Sequence, residues 1–195
     1  MERRQNNGYA DYFDQQFDLD PVEVGVGSFA CTRDPKTMLV TNVGSGVVLC
    51  VYDNIVHFGG MAHILVPEKV LRQFPHFDPD DPLFRQTERL MESFINALKE
   101  NGVGKQRVRI KLMGGGALYE GIIDTGLQNY VFAKEHLLQK GMRIAQEDIG
   151  GRVCRRIYYI PIDGRIVSHV LRRKEDILRL KTIEREYLHN TEQTS

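Results

Sequence analysis

The chain has 195 residues, 42% hydrophobic and 27% charged, and 26 Lys+Arg balance 26 Asp+Glu to a formal net charge of +0. That length suits one well-buried domain and is short for two; the charge balance argues against a nucleic-acid partner, which calls for a basic excess. The N-terminal run MERRQNNGYADYFDQQ lacks the apolar core of a signal peptide, and no later apolar run is long enough to span a bilayer, so a soluble cytoplasmic protein without membrane insertion is expected.

Residues 1–21 form a polar, acidic leader carrying Tyr9, Tyr12, Phe13 and Phe17. Four aromatics in nine residues are costly to leave in water, which favours a strap docked on the core over a free tail. From Val22 the pattern turns to short strands: VEVGVGSFACT, an Asp34-Pro35 turn, then TMLVTNV. VVLCVYD is almost continuously apolar, as expected of a central strand buried on both faces. Asp53-Asn54 turns the chain into IVHFGGMAHILVP. After the loop FPHFDPDDP, Asp81 is placed to cap a helix with Pro82 at its first position. Leu83, Leu90, Met91, Phe94, Ile95 and Leu98 recur at threes and fours to give that helix one apolar face, and Gly102 ends it.

RVRIKLM reads as a strand leading to Gly114-Gly115-Gly116, and a second helix is expected from Gly126 to Lys140. RIAQED, RVCRRIYYIPI and RIVSHVLRR return to β, the last two flanking the hairpin signal Asp163-Gly164. The last fifteen residues read as a frayed polar end. The order predicts a layered α+β domain of β-sheets with two packed helices: a leader at 1–21, one domain at 22–180, and a polar tail at 181–195.

The stretch Thr41 to His63, TNVGSGVVLCVYDNIVHFGGMAH, looks most like an active site. It combines a glycine-rich start to an apolar strand with a second strand ending in a lone histidine. His63 suits a general base, and it equally suits a structural histidine satisfied by the backbone. Gly114–Gly116 lacks the Lys-Ser/Thr of a phosphate loop, so a tight strand exit is the better explanation. EDIGGR at 147–152 reads as a turn with a surface ion pair. Cys31, Cys50 and Cys154 are an odd, unpaired set that argues against a disulfide framework. No cysteine or histidine spacing fits a metal site, so neither metal nor cofactor is expected. Residues 152–185 carry ten Lys/Arg against four Asp/Glu; this is a solvated face or one that could meet an acidic helix.

Read together, VGVGSFACTRDPKTMLV, NVGSG, VVLCVYD, GGMAHILVP, LKENG, MGGGALYEG, TGLQNYVFAKEHLLQKG, AQEDIGGR and IDGRI resemble the chemoreceptor glutamine deamidases, the CheD family of bacterial chemotaxis. The resemblance runs in order from Val22 to Arg173. It implies an α+β fold shared with glutamine-deamidating toxins, methyl-accepting chemotaxis proteins as substrates, and a CheC-type phosphatase as a further partner. It also implies a chemistry in which a cysteine thiolate attacks the carboxamide while a histidine moves the proton to departing ammonia.

By this resemblance His63 matches the family's base and Thr41 matches a threonine before the nucleophile. The family's Gly-Ser-Cys, however, reads Gly44-Ser45-Gly46 here, so Gly46 stands where the catalytic cysteine would be. Cys50 lies roughly 13 Å further along a strand, and losing a nucleophile can cost about a millionfold in turnover. Two functions follow: a non-catalytic or weakly active relative that binds receptors or the phosphatase, or a deamidase that works by another route. The fold is expected to survive, with His63 facing Gly46 across neighbouring strands beside a shallow cleft.

Overall fold

The computed structural model describes residues 19–119 and 123–193. The aromatic leader falls almost wholly on residues 1–18, outside the described residues. Nine strands and four helices run in the order β1 (Asp20–Glu23), β2 (Ser28–Thr32), β3 (Thr37–Val43), β4 (Val47–Asp53), β5 (Phe58–Ile64), α1 (Glu68–Leu71), α2 (Pro82–Glu100), β6 (Arg109–Gly114), α3 (Thr125–Gln139), β7 (Ile144–Ile149), β8 (Arg155–Ile160), β9 (Arg165–Val170) and α4 (Lys174–Gln193) among those residues.

The strands form two sheets, one ordered β1-β3-β8-β9 and the other β2-β5-β4-β6-β7. Alternation along β4 explains how they stack. Side chains point to opposite faces at successive positions, so Val47, Leu49 and Val51 face one way and Val48 and Cys50 the other. The first set packs against Met91, Phe94, Ile95 and Leu98 of α2 and Phe132, Ala133 and Leu137 of α3. The second set, with Met61 and Met113, packs against Leu39, Val43, Ile157 and Tyr159 of the smaller sheet. The molecule is therefore a three-layer α+β fold of helices, five-stranded sheet and four-stranded sheet. VVLCVYD is apolar throughout because it lies in the middle layer.

Both expected helices form, the first with the Asp81 cap read from sequence and the second with a cap, Asp124, that the sequence reading does not name. Asp81 accepts a hydrogen bond from the Leu83 N–H at 2.9 Å, and Asp124 accepts one from the Leu127 N–H at 3.0 Å; each satisfies a donor left free at a helix start. Two further helices were not anticipated. α1 is a single turn. α4 corrects the reading of residues 181–195 as a frayed tail, since the helix runs to Gln193. Its buried positions, Leu180, Glu184 and Thr191, fall on one face at helical spacing. Only one of the three is apolar, which is why the stripe is faint in the sequence.

Candidate active site

Odd-numbered positions of β3 and of β5 point into the layer between the sheets: Leu39 and Val43 on one side, Met61 on the other. Thr41 and His63 share those faces and meet across the layer, with 3.1 Å between Thr41 Oγ1 and His63 Nδ1. The Thr41 hydroxyl donates its proton to the Val24 carbonyl at 2.7 Å. Having a single proton, it can only accept from the imidazole. Nδ1 therefore carries the ring hydrogen, and Nε2 is left as a bare lone pair.

That lone pair is fully buried and has no hydrogen-bond partner among the described residues. Burial holds the imidazole neutral, bringing its pKa down from 6.5 to about 4. An unpartnered buried acceptor costs on the order of 1–3 kcal/mol, and this one is aimed at a specific neighbour. A Cβ built on Gly46 would lie 2.8 Å from His63 Nε2. Gly46 ends the turn by which the chain crosses from β3 in one sheet to β4 in the other, and β4 pairs with β5, Val48 opposite His63. The three residues singled out from sequence, Thr41, Gly46 and His63, are thus brought together.

The crossing turn is fixed from two sides. On one side, the Gly115 N–H donates to Gly46 O and the Gly116 N–H donates to Gly44 O, both at 2.7 Å. Gly114 (φ 109°) and Gly115 (φ 60°) adopt backbone that L side chains avoid, and a Cβ at Gly114 would sit 2.5 Å from Gly46 O. The Gly114–Gly116 run is thus a tight strand exit that braces this turn. On the other side, Glu184 of α4 reaches in. Its Oε1 accepts from the Gly44 and Ser45 N–H groups at 3.1 and 3.0 Å, and its Oε2 accepts from the Ser45 and Tyr119 hydroxyls at 2.8 and 3.0 Å. Burial, and then the Glu184 charge, push the Tyr119 phenol above its ordinary value.

Instead of the expected shallow cleft, the site is covered. Thr41 and His63 are buried between the sheets, and Gly44, Ser45 and Gly46 are buried on the turn against which Glu184 of α4 packs. Glu184 and Tyr119 were missed in the sequence. Glu184 sits in a stretch dominated by exposed polar residues, and the one available signal was the spacing of Leu180, Glu184 and Thr191.

The other sulfurs are poor substitutes for a thiol at Gly46. Burial pushes the Cys31 thiol up to about 12. It pushes Cys154 up to about 11, with Glu184 adding to the effect, and raises Cys50 further. Each is therefore a protonated, weakly nucleophilic thiol. In EDIGGR, Asp148 pairs with Arg155 at 3.1 Å, and the Arg155 guanidinium also donates to Gly150 O at 3.0 Å. Among the described residues no group of three or more His, Cys, Asp or Glu is placed to hold a metal ion. None of their helices is long and apolar enough to cross a membrane.

Comparison with known proteins adds a family. The family model for CheD chemotactic sensory transduction matches residues 78–169, a segment that begins beyond Gly46 and His63. Similar curated proteins match most of the chain. A probable chemoreceptor glutamine deamidase CheD of Rhodopseudomonas palustris is 34% identical, covering 90% of this chain and 81% of its own length. Its counterpart in Halorhodospira halophila is 33% identical over 93% and 84% of the two chains. One named CheD 2 in Burkholderia thailandensis is 35% identical over 92% and 91%.

Proposed function

This chain belongs to the CheD chemotactic sensory transduction family, and from that premise we propose that it binds methyl-accepting chemoreceptors in the cytoplasm without efficiently deamidating them. A CheC-type phosphatase is a second partner under the same reading. The relatives are named as chemoreceptor glutamine deamidases. Their reaction needs a nucleophile beside the base. It attacks the glutamine carboxamide carbon, ammonia leaves with a proton delivered by the histidine, and water releases the glutamate.

One observation carries the proposal. The base is oriented, with its lone pair directed at Gly46, and that position has no side chain. The hydroxyls near the turn are committed elsewhere: Thr41 donates to Val24 O and Ser45 donates to Glu184. Cys50 and Cys154 are buried and Cys31 half-buried, and burial raises the pKa of all three. Nor has the missing side chain left a ready hole, since a Cβ at Gly46 would come within 2.8 Å of the Ile64 carbonyl as well.

The test pairs binding with chemistry on one substrate. A purified receptor cytoplasmic domain should co-elute with this chain in size-exclusion chromatography. Its intact mass after prolonged incubation should show no glutamine-to-glutamate gain and no ammonia release. Robust deamidation by the unmodified chain would refute the non-catalytic reading and establish an active deamidase instead. Failure to co-elute would refute receptor binding.

A further inference from the structure

Glu184 is a charged side chain with no solvent exposure, on a helix whose remaining buried positions are Leu180 and Thr191. Four donors converge on its carboxylate, two backbone N–H groups and two hydroxyls. Buried carboxylates persist only when paired or fully hydrogen-bonded, so this cradle is a built receptor for a carboxyl group. It lies on the turn that ends in Gly46, the residue whose Cβ position is 2.8 Å from the unpartnered Nε2 of His63. The same helix grips the other side of the site. A Cβ on Gly27 would be 2.2 Å from the Tyr187 ring, so that ring lies directly against Gly27, whose N–H donates to the His63 carbonyl at 2.9 Å.

We propose that α4 is a ligand held in cis: Glu184 fills a side-chain carboxyl site that an incoming helix bearing glutamate or glutamine occupies once α4 has been displaced. The donor set suits both occupants. A carboxylate can take all four hydrogen bonds. A carboxamide can place its oxygen on the Gly44 and Ser45 N–H groups and its NH2 on the Ser45 or Tyr119 oxygen, because a hydroxyl rotates to accept as readily as it donates. The cradle therefore matches the substrate and the product of glutamine deamidation. The existence of the cis contact is independent of the proposed function; the identity of the trans ligand as a receptor helix rests on it.

The helix is weakly anchored for its length. Leu178 and Ile183 are exposed at 61% and 41%, and beyond Glu184 the polar ties to the loop opposite gather on one residue, Lys181, whose Nζ donates to Leu118 O at 2.9 Å and lies over the Tyr119 ring and whose carbonyl is 3.5 Å from the Tyr119 hydroxyl. Removing the Glu184 carboxylate should release the helix and leave the cradle open. An occluded site is seen by ligand only in the fraction of molecules where it is open, so opening it should tighten binding in trans.

The experiment uses the full-length chain and, as probe, a fluorescein-labelled peptide with the sequence of residues 174–193, alongside the same peptide with its Glu184 position changed to alanine. Peptide carrying the glutamate should bind the Glu184→Ala chain at least about tenfold more tightly than wild type, and the alanine peptide should bind neither. Hydrogen exchange at amides 174–193 should accelerate in Glu184→Ala while β4 and β5 stay protected.

If Glu184→Ala does not fold, Lys181→Ala replaces it; this variant loses the tie to Leu118 O and leaves the four cradle donors intact, so both exchange and peptide binding should rise by a smaller factor. Equal peptide affinity for wild type and a folded variant, or α4 amides no faster than those of the core, would overturn the proposal by making Glu184 a structural residue only. Peptide binding that succeeds where receptor co-elution fails would leave the cis contact standing and remove the receptor as its trans ligand.

Discussion

At the scale of single residues, the site is defined by one proton. Because the Thr41 hydroxyl is spent on Val24 O, His63 must present Nε2 bare, the tautomer a general base requires. Gly46→Cys would put sulfur beside that lone pair, but not freely. Its Cβ would meet both Nε2 and Ile64 O at 2.8 Å, and while an imidazole can turn aside, a strand carbonyl can yield only by shifting β5. We expect a folded variant destabilised by about 1–3 kcal/mol, the usual cost of overpacking, measured by urea unfolding. Combined with Glu184→Ala, which uncovers the turn, its new thiol should react with iodoacetamide faster than Cys31, Cys50 or Cys154, and adding His63→Ala should abolish that advantage. Adding Thr41→Val should slow the reaction by freeing the tautomer. It should also cost about 1–3 kcal/mol by leaving Val24 O without that donor. An introduced thiol that stays inert in a folded chain would mean that His63 does not act on that position.

At the scale of elements, legibility followed burial pattern. β4 could be read because both its faces are apolar, and α2 because six apolar residues and two caps agree. Thr41 and His63 could be named because their strands were recognisable, but their contact crosses between two sheets and no local spacing encodes it. α4 was lost because the residue that fixes it is a glutamate, indistinguishable in sequence from its solvated neighbours. The Gly114–Gly116 run was correctly read as structural, but its purpose emerged only when the Gly44–Gly46 turn was found against it.

The packing extends to the next element. Gly126, in the first turn of α3, would with a Cβ meet Gly116 O at 2.4 Å and Gly115 O at 2.5 Å. Alanine is favoured over glycine in a helix by about 1 kcal/mol, yet here Gly126→Ala should lower thermal stability. Overpacking against immobile backbone costs about 1–3 kcal/mol, and a Tm fall of a few degrees in calorimetry would report the difference. A raised Tm would show that α3 can slide away from the glycine exit at no cost.

At the scale of the whole molecule, placing an imidazole in the layer between two sheets ties global stability to pH. In the unfolded chain His63 titrates near 6.5, and in the folded protein burial holds it down to about 4. Between those values the unfolded state takes up a proton that the native state refuses. Stability from this source is therefore complete above about pH 6.5 and drains away as pH falls toward 4. The full loss is roughly 3 kcal/mol at 1.36 kcal/mol per pH unit, a large part of the margin of an ordinary domain. His136 acts in the same direction, because burial lowers its pKa against the opposing pull of Glu92. Carboxylates such as Asp81, where hydrogen bonds from Gln73 and Leu83 outweigh burial, lose their contribution only at still lower pH. Urea unfolding from pH 7.5 to 4.5 should thus give a midpoint that holds down to about pH 6.5 and then falls with acidity. His63→Gln should flatten that slope while His136→Gln flattens it less, and both should remain less pH-dependent than wild type. If His63→Gln keeps the full wild-type slope, His63 is not the imidazole that burial holds neutral in the native fold.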